Sequence, residues 1–169
     1  MSDDAPPVGD PAVGDTKGDP PDIDAELTAL YARVDAVLAD ARPRCEMSGR
    51  CCDFPNTDHE LWSSALELAY ARRHAPGAAP AEASGGATDL SPVSSAVPPA
   101  PSGQCPWYVE GTCRNREGRP LGCRLYFCDP AWAPAMPQVY ERFHEELKAL
   151  HEAAGVPYGY HRFVDAVRD

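Results

Sequence analysis

Residues 105–128 read CPWYVEGTCRNREGRPLGCRLYFC, and how this stretch is read decides the fold. It carries Cys105, Cys113, Cys123 and Cys128 among the rings of Trp107, Tyr108, Tyr126 and Phe127. The remaining cysteines, Cys45, Cys51 and Cys52, lie upstream, beyond a segment of small residues. Thiolates bind soft or borderline metals, and a site takes about four of them converging. The expectation is a fold that brings the two groups together around one metal. All seven cysteines are therefore candidate ligands, with spares that simply pack as small buried thiols.

Cys51 and Cys52 are neighbours in the chain. Adjacent cysteines rarely bond to each other, because the ring so formed strains the peptide. On a loop, both sulfurs can approach one centre. Cys105 and Cys113 are separated by seven residues, and Cys123 and Cys128 by four. Two residues between cysteines is the usual zinc knuckle, and that spacing is missing. An iron–sulfur cluster spans several ångströms and accepts wider, more varied spacing. The spacing favours a [4Fe–4S]-type cluster, with zinc as the alternative. Arg119 and Arg124 bracket Cys123 and are cofactor-binding candidates. They would offset the charge of a thiolate-bound cluster or donate to its sulfurs; the plainer reading is of surface arginines.

Working outward, the composition shifts over about 76–103 to Ala, Pro, Ser and Gly, as in a flexible insertion within one domain. Upstream of it, a Thr57–Glu60 capping-box pattern predicts a helix from near Asp58 through LWSSALELAYARR. The three upstream cysteines then sit on a loop before that helix, with Gly49, Pro55 and Asn56 as its loop signals. Ile23, Leu27, Leu30, Tyr31, Val34, Val37 and Leu38 recur at three- and four-residue steps. They predict a core-facing amphipathic helix over 23–41, capped by Asp22 or Asp24 and stopped at Pro43. Downstream, Val139, Tyr140, Phe143, Leu147 and Leu150 mark a third helix over about 137–153. Short strands are expected at Trp107–Val109, and a strand or helical turn at Leu125–Phe127. Tyr158, Tyr160 and Phe163 place a closing segment back on the core.

The fold class that results is mainly α, small, irregular and metal-nucleated. It has about three helices plus cysteine-bearing loops and short strands. Residues 1–22 are an acidic, Pro- and Gly-rich tail of the disordered kind. Residues 23–166 form a single domain of roughly 115 ordered residues, enough for a modest core. The chain of 169 residues has a formal net charge of −11, which argues against a nucleic-acid partner. No apolar run is long enough for a membrane span, and the first residues lack a secretory pattern. A cytoplasmic location is expected, where cysteines serve as ligands or redox thiols more often than as disulfides.

The block Cys105, Gly111, Cys113, Arg119-Pro120, Cys123-Arg124 and Cys128 resembles the second half of the YkgJ-like (CxxCxxCC) cysteine cluster family. In the first half of that pattern Cys45, Cys51 and Cys52 match, while Ser48 stands where the family has a further cysteine. The resemblance covers about residues 45–165. It implies a bacterial, cytoplasmic, metal-binding protein that chelates zinc or iron, with no assigned reaction of its own. A flagellin lysine methylase carries a similar cysteine domain, which makes protein modification an alternative.

Three functions compete. The first is a metal-binding module. The second is a small cluster-dependent oxidoreductase or modification enzyme, with Ser48, Asp53, His59 and Asp129 as polar candidates for substrate contact. The third is a thiol switch in which Cys51 or Cys52 exchanges with Cys45. His59, His74, His144, His151 and His161 are further ligand candidates, each more simply a core or surface histidine. His144 and His151 share a helix face but lie two turns apart, too far for one ion.

Overall fold

The computed structural model describes residues 22–46, 48–57, 59–78 and 97–168. The expected acidic tail and most of the expected insertion lie outside the described residues. In chain order the elements are α1 (Ile23–Ala41), β1 (Trp62–Ser64), α2 (Ala65–Arg73), β2 (Tyr108–Val109), β3 (Thr112–Cys113), α3 (Leu121–Leu125), α4 (Met136–Ala154), β4 (Tyr160–Arg162) and α5 (Phe163–Ala166). Two 3-10 turns, Arg50–Cys52 and Phe54–Asn56, precede β1. The architecture is mainly helical. Among the described residues no helix is long and apolar enough to cross a membrane.

Asp22 starts α1 by accepting hydrogen bonds from the backbone N–H groups of Asp24 and Ala25, at 3.1 and 3.2 Å. These are donors that a first helical turn leaves free. The helix ends at Arg42, which is left-handed (φ 50°) ahead of Pro43; the proline ring disfavours helical geometry in the residue before it. Asp24 does not cap. Its carboxylate turns to Arg73 and His74 at the end of α2, at 2.8 and 2.9 Å.

The second helix begins later than its sequence signal predicts. Trp62–Ser64 is extended and pairs antiparallel with Tyr160–Arg162, Trp62 opposite Arg162. A second Ser-x-x-Glu pattern, Ser64–Glu67, supplies the capping box of α2. The Ser64 N–H donates to Glu67 Oε2 at 2.9 Å, and the Glu67 N–H donates to Ser64 Oγ at 3.4 Å. Glu67 Oε1 also accepts the Leu121 N–H at 2.8 Å and the Tyr31 hydroxyl at 3.3 Å. One buried carboxylate thus joins α1, α2 and the start of α3. The cost of an unpaired buried donor selects this helix start, because it satisfies donors from three elements at once.

α2 is buried on nearly all sides and separates two cores. Leu66 and Tyr70 belong to the first, with Leu27, Leu30, Leu121 and Phe143 of α1, α3 and α4. Leu68 and Ala71 belong to the second, with Phe54, Trp107, Phe163 and Val167. Of the closing segment, Tyr158 and Tyr160 are exposed and lie against His144 of α4, while Phe163 packs in this second core. Cys52 and Cys105 are buried there too. Of the two alternatives at Leu125–Phe127, strand or helical turn, the structure has the helical turn, placed earlier at Leu121–Leu125.

Candidate metal centre

The hairpin β2–β3 carries Cys113, with Tyr108 opposite Cys113 and Val109 opposite Thr112. Its two-residue turn places both Glu110 (φ 49°) and Gly111 (φ 78°) in the left-handed region, the turn geometry that matches strand twist. The upstream loop lies against this hairpin. Gly49, at φ 72°, comes so close that a Cβ there would meet the Gly111 carbonyl oxygen and the Tyr108 hydroxyl at 2.8 Å. Backbone-to-backbone approach at a glycine is what docks the first cysteine group on the second.

Three further side chains, Asn115, Asp129 and Arg124, set the loops. Asn115 donates to the Ala71 carbonyl of α2 at 2.7 Å and accepts the Gly118 N–H at 3.1 Å, holding the segment after Cys113. Asp129 accepts the Arg44 N–H at 2.9 Å and the Ala131 N–H at 3.0 Å. It fixes the residue before Cys45 to the residue after Cys128. Those two N–H groups hold its carboxyl below the usual carboxylate range. Arg124 is buried and donates through Nε to the Arg119 carbonyl at 2.8 Å. It also donates to the Glu117 carbonyl, pairs with Asp35 at 3.2 Å and lies 4.1 Å over the Tyr31 ring.

Between these loops is a cavity of about 150 Å³. Cys45, Cys51, Cys52, Cys113 and Cys123 line it, with Arg116, Arg119 and Arg124; Leu38, Tyr126 and Phe127 contribute its apolar wall. Cys105 is buried in the same core cluster as Cys52. The Cys51 and Cys52 sulfurs are 3.9 Å apart and, like all seven, are free thiols. Cys128 faces a neighbouring groove with Arg50, Asn56, Thr57 and His59. Tyr126 lines both spaces.

The thiols are electrically unlike. The hydrogen bond with Cys52, then its own loop backbone and the charges of Arg119 and Arg116, lower Cys51 to about 6 against the opposing effect of burial. The Cys52 contact, the Asn115 backbone and the same arginines lower Cys113 to about 7, again against burial. Cys105 is lowered too, by Cys52 and by the backbone N–H groups of Trp107 and Tyr108. Cys52, at the centre, is pushed up by its bonds to Cys105, Cys113 and Cys51 and by burial. Burial, then the charges of Cys105 and Cys113, push Cys123 well up, with Arg119 opposing. Cys51, Cys105 and Cys113 are thus lowered and Cys52 and Cys123 raised, beside the positive charge of Arg116 and Arg119; sulfur donors suit a thiophilic metal.

Among the described residues, the ligand atoms of Glu141, His144 and Glu145 lie mutually within 4.8 Å, and no three cysteine sulfurs join them in that class. Four thiolates on one tetrahedral zinc, with bonds of about 2.3 Å, lie roughly 3.8 Å apart. Cys51 and Cys52, at 3.9 Å, match that spacing, but among the described residues no third sulfur lies within 4.8 Å of both.

The other sequence candidates fall outside the cavity. Ser48 is exposed. Asp53 accepts a hydrogen bond from Asn56 at 2.9 Å. His59 stacks on Tyr126, with ring centroids 4.7 Å apart, and one ring nitrogen is 3.4 Å from the Cys51 carbonyl oxygen. His74 is engaged with Asp24, His151 is buried against the Val156 carbonyl, and His161 is exposed. Arg116, Gly49 and Asn115 were not legible as site residues. Arg116 had only its place between two cysteines to signal it, and Asn115 only an Asn-x-x-Gly turn. No family model, curated protein or solved structure matches the chain.

Proposed function

We propose that this chain is a metal-binding cysteine cluster protein. The observation that carries the reading is the meeting of Cys45, Cys51, Cys52, Cys113 and Cys123, from separate stretches of chain, on one arginine-flanked cavity. The spread of the sulfurs supports an iron–sulfur cluster over a single zinc ion. Cys51, Cys52, Cys113 and Cys123 would hold it, with Cys45 and Cys105 beside them. Such a cluster supplies one-electron redox capacity or, if redox-silent, rigidity. Arg116 and Arg119 would balance its negative charge. Metal nucleation of the fold belongs to this proposal, because bound metal would cross-link the upstream loop to the hairpin. So does a cytoplasmic location, which suits free thiols. The resemblance to the YkgJ-like family points the same way.

Anaerobic isolation followed by metal and acid-labile sulfide analysis tests the reading. Iron and sulfide in matching amounts, with visible charge-transfer absorption, are expected. Stoichiometric zinc without sulfide would replace the cluster by the ion; folded protein free of both rejects metal binding. The groove holding Cys128, His59 and Arg50 supports a second reading, in which a small polar substrate approaches the centre from that side. Turnover that is lost in H59A while metal content is retained favours it.

A further inference from the structure

Away from the cysteines, α4 presents Glu141, His144 and Glu145 on one face, one helical turn apart, with ligand atoms within 4.8 Å of one another. Exposed acidic side chains at that spacing are common. The histidine between them is not. Only 8% of His144 is exposed, and its Nδ1 is buried without a hydrogen-bond partner. The nearest carboxylate oxygen, on Glu141, is 3.7 Å away, too long for a hydrogen bond. Two ligands held about 2.1 Å from one ion at tetrahedral angles stand roughly 3.4 Å apart. The gap is near the span across a cation.

The other ring nitrogen is already committed. His144 Nε2 shares hydrogen bonds with the Tyr158 hydroxyl and with the Tyr160 hydroxyl at 3.0 Å, and Tyr160 is bonded in turn to Tyr140. The imidazole is stacked on Tyr160 and flanked by Tyr140 and Tyr158. With the proton on Nε2, the ring donates to the tyrosine oxygens and leaves the Nδ1 lone pair facing the glutamates. An outer partner that fixes tautomer and ring orientation is the usual companion of a metal-bound histidine.

We infer that Glu141, His144 Nδ1 and Glu145 form a second cation site, separate from the cysteine cavity, for a divalent first-row transition ion. One imidazole with two carboxylates suits ions of that class. Lys148 now occupies this position electrostatically, its ammonium 2.8 Å from Glu145 Oε1. It is the competitor that a bound ion displaces.

The test is a titration of Co²⁺ into the full chain, anaerobic, with its cysteine centre loaded. Cobalt on nitrogen and oxygen gives weak d–d bands, whereas cobalt on thiolate adds intense near-ultraviolet charge transfer, so the two sites are told apart. One equivalent with d–d bands alone is expected. E141Q and E145Q, both at exposed positions that leave the core untouched, should each weaken binding at least about tenfold, the scale on which even outer partners act. K148M should tighten it several-fold. Heteronuclear NMR of His144 should show Nδ1 coordinated and Nε2 protonated. Absence of a saturable d–d band, or bands unaffected in both glutamine variants, overturns the site. Charge-transfer bands alone do so as well.

Discussion

Gly49 is the position at which one methyl group should separate the two cysteine groups. A side chain there adopts φ 72°, a left-handed conformation costing about 1–2 kcal/mol for a non-glycine residue. Its Cβ also meets the Gly111 carbonyl oxygen at 2.8 Å, a backbone atom that cannot swing aside. Overpacking of that kind costs roughly 1–3 kcal/mol. The sum for Gly49→Ala is about 2–5 kcal/mol, against a total of about 5–15 kcal/mol for a typical domain. Gly111→Ala is the control: its φ is similar at 78° but nothing lies within 4 Å of the added Cβ. Urea unfolding of both variants, with metal content measured on the same samples, separates strain from contact. Gly49→Ala should be the less stable by about 1–3 kcal/mol, the overpacking part alone, and should lose metal. Equal stabilities, with full metal in both, would refute the docking argument.

Other outcomes follow from the same geometry. Stripping a structural metal should cost on the order of 10 kcal/mol, so a chelated sample should lose its cooperative melting transition in calorimetry. Glu67→Ala should destabilise by about 3 kcal/mol or more, because the buried Leu121 and Ser64 N–H groups each lose their acceptor. Glu67→Gln should cost less in the same urea assay. Burial raises the Asp24 carboxyl, but hydrogen bonds and charge from His74 and Arg73 outweigh it and leave the group below its usual value. Its contribution is therefore present above the unfolded-state pKa of about 3.8 and lost as pH falls through the folded value. Between about pH 5 and pH 2.5 the wild type should lose more stability than Asp24→Asn, read as urea midpoints.

Local pattern was enough for the elements whose information is local. The three- and four-residue steps of α1 and α4 needed no partner to be read, because a helix shows its buried face in its own sequence. The two cysteine blocks were legible from the sequence alone. The start of α2 was not. Thr57–Glu60 and Ser64–Glu67 carry the same capping signature, and the choice between them depends on Leu121 and Tyr31, far along the chain. β1 was invisible for a related reason: three residues hold no periodicity, and their partner strand is at the other end of the domain.

Residue chemistry therefore gave a mainly helical chain with seven cysteines in two blocks. Position in space sorted those thiols, setting Cys45, Cys51, Cys52, Cys113 and Cys123 on one cavity and turning Cys128 to the next groove. It also bound the guanidinium of Arg124, at the wall of that cavity, to Asp35 and two carbonyls. Spacing along a chain limits which groups can meet, but loop conformation sets where each side chain points. Here that conformation rests on the close pass at Gly49 and on hydrogen bonds from Asn115 and Asp129 to distant backbone.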